Sequence, residues 1–274
     1  MTTHWYRVYT DLDGTLLDHH SYDWAPAADA MRALLARRVL IVPSTSKTAE
    51  ELDLWLAQLG LPGYGVVENG GMVLLPKEHI YWQSKQPDWV GQQADGLLLS
   101  RPYGAVCQWL DDMRSQRDFR FQGFHDVDVT TVMSWTGMTE RDALASLDRH
   151  CAEPIQWQGD AASKAVFIEL AQTAGWSVTE GGRFLHVGSQ VDKVQGVLWL
   201  ESHLPEPGHW LALGDGENDR SMLMQADWAA IIPKPDGTHL ELNRADAYRA
   251  ASPGPVGWSE AMSHWLEHEL ERMQ

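Results

Sequence analysis

The sequence predicts an α/β protein built on a parallel sheet and interrupted by an inserted α+β domain. The first of three supporting observations is the alternation of short apolar runs with helical patterns over the amino-terminal third. The second is the loss of that rhythm between residues 84 and 185, where polar connections separate helical stretches from short strand candidates. The third is its return at residues 184–187 and 210–213, the latter running into Gly214-Asp215-Gly216-Glu217-Asn218-Asp219. Residues 1–83 and 186–274 are therefore expected to form the core, with 84–185 as the insert.

The elements follow in order. Residues 6–9 read as a strand that feeds an acidic loop. Met31, Leu34 and Leu35 give a short helical stripe, and residues 39–42 read as a second buried strand. Thr48 with Glu51 three residues later is a capping-box pattern; Leu52, Trp55, Leu56 and Leu59 continue at helical spacing until Gly60 supplies a stop. Residues 65–68 and 72–75 flank Asn69-Gly70-Gly71, a hairpin whose turn needs positive φ. Inside the insert, 103–114 and 139–150 read as helices and 119–121 and 154–157 as strands. Asp192-Lys193 opens a helix carrying Val194, Val197 and Leu198; residues 229–232 read as a strand, and the stretch from Gly257 as an amphipathic helix.

A formal charge of −17 argues against a nucleic-acid or anionic-membrane partner, both of which need clustered Lys and Arg. No apolar run approaches the roughly 20 residues that cross a bilayer, and no apolar leader precedes a cleavage site. A soluble, cytoplasmic protein is expected. Cys107 and Cys151, in no CxxC spacing, are expected as reduced thiols. The 14 tryptophans suit either a core or an interface. His264-Trp265-Leu266-Glu267-His268 matches a zinc-protease pattern, but six residues follow it and a third ligand has no source, so a solvated helix is expected. Asp219 stands where a dinucleotide fingerprint needs glycine. His19 and His20 are expected to face solvent.

The chemistry concentrates in Asp11-Leu12-Asp13-Gly14-Thr15. Two carboxylates two residues apart point the same way on extended backbone. At the carboxyl end of a strand such a pair can share one Mg²⁺ while one oxygen attacks phosphorus. Ligands of open parallel sheets bind beyond the carboxyl ends of the strands. Thr45 and Ser46 follow the second strand, Asp215 follows a later one, and Lys193 opens a helix between them. A lone Asp-x-Asp is usually a solvated turn and a lone lysine a solvated side chain; the combination points to one phosphoryl-transfer site.

Asp11-x-Asp13-Gly14-Thr15, Thr45-Ser46-Lys47, Lys193 and Gly214-Asp215-Gly216-x-Asn218-Asp219 resemble the four motifs of the haloacid dehalogenase superfamily. The resemblance implies a Rossmann-like core and, from the position of the insert, a C2-type cap. It implies Asp11 as nucleophile, Asp13 as acid and base, and Thr45 and Lys193 on the transferring phosphoryl group. It also implies Mg²⁺ on Asp11, Asp13 and Asp215, with Asn218 and Asp219 behind them.

A closer resemblance is to mannosyl-3-phosphoglycerate phosphatases. It rests on the run Asp11 to Asp18 followed by Ser21-Tyr22-Asp23-Trp24, on Ser46-Lys47-Thr48-Ala49-Glu50, Glu68-Asn69-Gly70 and Glu153-Pro154, and on Gly182-Arg183-Phe184-Leu185-His186. Lys47-Thr48 stands where Cof-like enzymes more often carry Gly-Arg. The implied substrate is a small phosphorylated sugar-glycerate, whose charge calls for cations and hydrogen-bonding groups beyond the phosphate. Ser46, Lys47, Glu68, Asn69, Arg183 and His186 are the candidates. Glucosyl-3-phosphoglycerate fits the same chemistry, and sucrose-phosphate and trehalose-phosphate phosphatases share the plan. A sugar phosphomutase or a non-catalytic sugar-phosphate sensor would carry a similar site.

Overall fold

Val8, Tyr9, Ile41, Val42, Leu211 and Ala212 are all fully buried, as strands covered on both faces require. They belong to the neighbouring strands Tyr6–Thr10, Leu40–Pro43 and His209–Gly214 of a five-stranded sheet in the computed structural model. Trp228–Ile231 and Tyr248–Arg249 extend it beyond His209–Gly214, and every pairing is parallel. Helices Ala28–Ala36, Lys193–His203, Arg220–Gln225 and Gly254–His264 belong to the same unit. Register aligns the functional edge: Thr10 pairs with Pro43 on one side and Leu213 on the other. The segments that follow these strands therefore leave the sheet at one level.

The structure describes residues 5–181 and 184–269. The chain divides into two compact units, Met1–Thr45 with Lys193–Gln274, and Ser46–Asp192. The expected boundaries at 83/84 and 185/186 both fall inside the second unit, because hydrogen-bonded ladders run across them. Met72–Pro76 pairs with Ala94–Leu98 within an antiparallel sheet that also holds Gly65–Val67 and Trp89–Val90. Phe184–Ser189 contains the later boundary and lies between Ala152–Trp157 and Trp176–Gly181 in a second antiparallel sheet, edged by Phe121–Gly123. Val106, Leu110, Phe121, Ile155 and Phe167 form its core with helices Tyr103–Arg117 and Ala161–Thr173. The fold is thus mixed α/β, with one parallel sheet and additional antiparallel sheets.

Local signals act as expected where they are strong. The Thr48 hydroxyl accepts the Glu51 N–H at 3.1 Å, and the Glu51 carboxylate accepts the Thr48 N–H at 2.9 Å, opening helix Ala49–Leu59; Gly60 closes it at φ +63°. The turn after Val67 has Asn69 at φ +55° and Gly70 at +97°. Helices Val129–Thr136 and Ala161–Thr173 and strands Ala94–Leu98 and Trp176–Gly181 are additional to the expected elements. The last long helix begins at Gly254, ahead of Gly257, and passes into a π-turn at Trp265–Glu269. Trp258 and Trp265 are fully buried, so part of the tryptophan load packs the core, while Trp5 is 62% exposed. Both cysteines are free. Among the described residues no helix is long and apolar enough to cross a membrane.

Candidate active site

Asp11 is the first residue past Tyr6–Thr10, and its N–H still donates to Leu213 at 2.9 Å, so strand pairing aims its side chain. Behind it the Thr10 hydroxyl donates to the Asp11 carbonyl at 2.8 Å and accepts the Trp258 indole N–H at 3.0 Å. The chain then closes on itself: Gly14 N–H donates to Leu17 at 2.9 Å and Leu17 N–H to Leu12 at 2.8 Å. Gly14 sits at φ +82°, a conformation that L side chains resist, and a Cβ there would lie 2.9 Å from Oδ2 of Asp215. The Thr15 hydroxyl reaches Oδ1 of the same carboxylate at 3.4 Å. Thr45 stands two residues beyond Pro43, fully buried, after Ser44 has donated its N–H to Thr10 at 2.7 Å.

Lys193 opens its helix fully buried, with Nζ 2.6 Å from Oδ1 of Asp11 and 2.6 Å from Oδ1 of Asp219. The other Asp219 oxygen accepts the N–H groups of Asp215 at 3.2 Å and Gly216 at 3.0 Å. Both oxygens of Asp219 are therefore committed, one to Lys193 and one to the Gly214-Asp215-Gly216 turn. Asn218 packs against Gly216, where a Cβ would come within 2.6 Å of its Oδ1.

One buried ammonium sits among the carboxylates of Asp11, Asp215 and Asp219. Burial raises Asp11 well above the usual carboxylate range; Lys193 opposes this, while Asp219, Asp215 and Asp13 add to it. Asp215 is pushed up to about 7, first by burial and then by Asp219. Burial alone would lower Lys193, but Asp11 and Asp219 outweigh it and hold the ammonium charged. Carboxylate oxygens of Asp11, Asp215 and Asp219 lie within 4.8 Å of one another. This donor set, all hard oxygen and in excess of positive charge, fits a divalent cation of the Mg²⁺ class. With Asp219 committed elsewhere, Asp11 and Asp215 are the carboxylates open to it.

The other expected residues lie in the Ser46–Asp192 unit. Ser46 is half-buried, and Lys47 is buried with Nζ 3.7 Å from Glu51. Glu68 is 2% exposed and accepts the N–H groups of His150 at 2.8 Å, Cys151 at 3.1 Å and Ala152 at 2.8 Å. Its carboxylate anchors that segment, with Arg149 3.7 Å away. Asn69 follows it in the positive-φ turn. His186 is pushed down to about 3 by burial and by Arg149, so the ring is neutral. Arg183 lies outside the described residues. Sequence reasoning missed Thr10, Trp258 and the Thr15 contact to Asp215. The last had a signal, since Thr15 adjoins the Asp-x-Asp-Gly motif; the first two meet across most of the chain.

No protein-family model matches the chain. A curated relative from Methanococcoides burtonii, named as a glucosyl-3-phosphoglycerate/mannosyl-3-phosphoglycerate phosphatase, is 31% identical over 259 residues, covering 93% of this chain and 95% of its own. The crystal structure of the Thermoplasma acidophilum protein 0175 matches with TM-score 0.68 and 15% identity over 96% of this chain and 99% of that one. A haloacid dehalogenase-like hydrolase from Bacteroides thetaiotaomicron matches with TM-score 0.65 and 17% identity over 95% and 99%. At such identities the two structures bear on the fold alone.

Proposed function

The chain belongs to the glucosyl-3-phosphoglycerate/mannosyl-3-phosphoglycerate phosphatase family, and we propose that it hydrolyses the phosphomonoester of a 2-O-glycosyl-3-phosphoglycerate, mannosyl first and glucosyl second, releasing the glycosylglycerate and phosphate. The observation that carries the reading is the Lys193 ammonium bridging Asp11 and Asp219 at 2.6 Å each beside an Asp215 open to a cation.

In the proposed reaction a carboxylate oxygen of Asp11 attacks phosphorus as the ester P–O bond breaks, and the Asp13 carboxyl gives its proton to the departing alkoxide. Asp13 then takes a proton from water, whose oxygen attacks the aspartyl-phosphate, returning Asp11 to its carboxylate and freeing phosphate. Lys193 neutralises charge on Asp11 and the phosphoryl oxygens, and Thr45 donates a hydrogen bond to them. Asp219 and Asn218 hold Lys193 and the motif turn in place. Mg²⁺, when held by Asp11, Asp215 and the Asp13 backbone, supplies positive charge that offsets the carboxylate crowding and polarises the phosphoryl group.

We assign the Ser46–Asp192 unit the role of a substrate-selecting cap, with Ser46, Lys47, Asn69, Arg183 and His186 as its candidates for the glycosylglycerate. Glu68 braces the 150–152 segment of the same unit. Two free thiols fit a reducing cytoplasm.

The test is a kinetic panel with Mg²⁺: mannosyl- and glucosyl-3-phosphoglycerate, sucrose-6-phosphate and trehalose-6-phosphate, for the natural protein and for Asp11→Asn. A preference in kcat/KM for the phosphoglycerates and a loss of about 10³-fold or more in the variant are expected. Equal kcat/KM across the panel would reject the substrate class, and an active Asp11→Asn protein the mechanism.

A further inference from the structure

The proposed reaction gives no part to Arg149, yet this arginine is 7% exposed and carries its charge into the interior of the Ser46–Asp192 unit. A buried charge is tolerated when it is paired and its donors are used. Its guanidinium meets three backbone carbonyls: Nε donates to Ala152, Nη1 to Ser146 at 3.4 Å and Nη2 to Ser46 at 3.4 Å. Nη2 also stands 3.7 Å from Oε2 of Glu68. The Ser46 carbonyl lies 103 residues back in the chain and belongs to the residue that follows Thr45. A side chain needed for packing alone has no use for a fork that reaches so far.

Glu68 closes these contacts into a ring. Its N–H donates to the Lys47 carbonyl at 2.9 Å, while its carboxylate takes the N–H groups of His150, Cys151 and Ala152, the residues directly after Arg149. The Thr48 hydroxyl adds a bond to the Ala145 carbonyl at 2.9 Å. Ser46, Lys47 and Thr48 are thus gripped in succession by Arg149, Glu68 and Ala145. Glu68 and Asn69 sit at φ +47° and +55°, left-handed backbone that residues with a Cβ seldom adopt. Such backbone persists where its surroundings over-determine it, and it collects at functional sites. On the other side of Thr45, the Ser44 N–H is bonded to the Thr10 carbonyl at 2.7 Å, so the chain is held both before and after that residue.

We infer that Arg149, steadied by Glu68, is a positioning residue of the reaction: it fixes the peptide joining Ser46 and Lys47, and through it the Thr45 hydroxyl that meets the transferring phosphoryl group. This rests on the phosphatase reading and deepens it. A misplacement of about 1 Å in a positioned group can cost on the order of a hundredfold in rate, so a clamp on the adjoining peptide has kinetic value. Arg149 acts through the backbone and not on phosphorus. Lysine at 149 keeps a cation beside Glu68, but one ammonium cannot span the carbonyls of Ser46, Ser146 and Ala152 as the guanidinium does. That substitution therefore separates the charge from the clamp.

The experiment measures p-nitrophenyl phosphate hydrolysis with Mg²⁺ by the natural protein, Arg149→Lys, Thr45→Val and the double variant. Arg149→Lys should lower kcat about tenfold with its Mg²⁺ half-saturation unchanged, and should cost less than about twofold where Thr45 is already valine, because the hydroxyl it places is gone. Amide exchange at residues 46–48 and 68 should quicken about tenfold in Arg149→Lys. Glu68→Gln keeps the shape, removes the charge that steadies Arg149, and should show the same dependence on Thr45; it decides the matter if the lysine variant does not fold. Natural kcat in these variants, an equal loss on both backgrounds, or unchanged exchange at those amides would overturn the inference. A natural protein that turns over no phosphomonoester, while its variants show the quickened exchange, would strike the phosphatase reading and not the clamp.

Discussion

Lys193 shows most directly how one residue ties stability to function. A buried ammonium is tolerated only when paired, and this one is paired twice, at 2.6 Å to Asp11 and to Asp219. The ammonium opposes the burial that pushes the Asp11 carboxylate toward the neutral acid. Lys193→Met keeps the length of the side chain and removes the charge. In Mg²⁺-free urea unfolding it should lose about 3–5 kcal/mol, the usual cost of stripping a partner from a buried ion pair, and it should abolish phosphatase turnover. Arginine should not rescue it, because a planar fork cannot replace a point charge between two oxygens. A Met variant as stable as the natural protein would show that the double pairing contributes nothing to stability.

Among the elements, the loop from Asp11 to Leu17 depends on Gly14. Its φ of +82° and the 2.9 Å that would separate an added Cβ from Oδ2 of Asp215 make Gly14→Ala costly twice, by about 1–2 kcal/mol of backbone strain and by displacing the carboxylate. The expected result is a raised Mg²⁺ requirement for half-maximal activity with the rest of the fold intact by circular dichroism; an unchanged Mg²⁺ dependence would place Asp215 outside the cation site. This loop was legible in the sequence because its signals are local: a strand, an acidic pair, a glycine and a threonine in consecutive positions. The same holds for Thr48 and Glu51 in their capping box. Strand Ala94–Leu98 was not legible, since Asp95 and Gly96 at its centre are poor strand formers and only pairing with Met72–Pro76 and Trp89–Val90 makes it one. Glu68 was legible as important but not in what it does, because the backbone groups it holds lie more than eighty residues away. Trp258 and Thr10 meet over a separation of 248 residues, which no local pattern encodes.

At the scale of the whole molecule, the two units carry separate handles on their own stability. The Met1–Thr45 and Lys193–Gln274 unit holds the carboxylates of Asp11 and Asp215, so a cation that binds the folded state alone raises its stability, by about 2.7 kcal/mol at a hundred times Kd. The Ser46–Asp192 unit holds His125, whose contacts with Cys107 and with Glu153, at 2.8 Å from Nδ1, push it up to about 10 against partial burial. A folded-state value raised above the unfolded 6.5 means that the folded chain keeps a proton the unfolded chain gives up. Its contribution is complete below about pH 6.5 and is lost as pH climbs through 10. Scanning calorimetry should therefore show Mg²⁺ moving the transition of the first unit upward at constant pH. Raising the pH from 7 to 10 should move that of the second downward, and His125→Gln should flatten the second dependence without touching the first. A single transition that responds to both agents alike, and keeps its pH slope in the His125→Gln protein, would show that the units unfold together and that His125 is not the proton they share out.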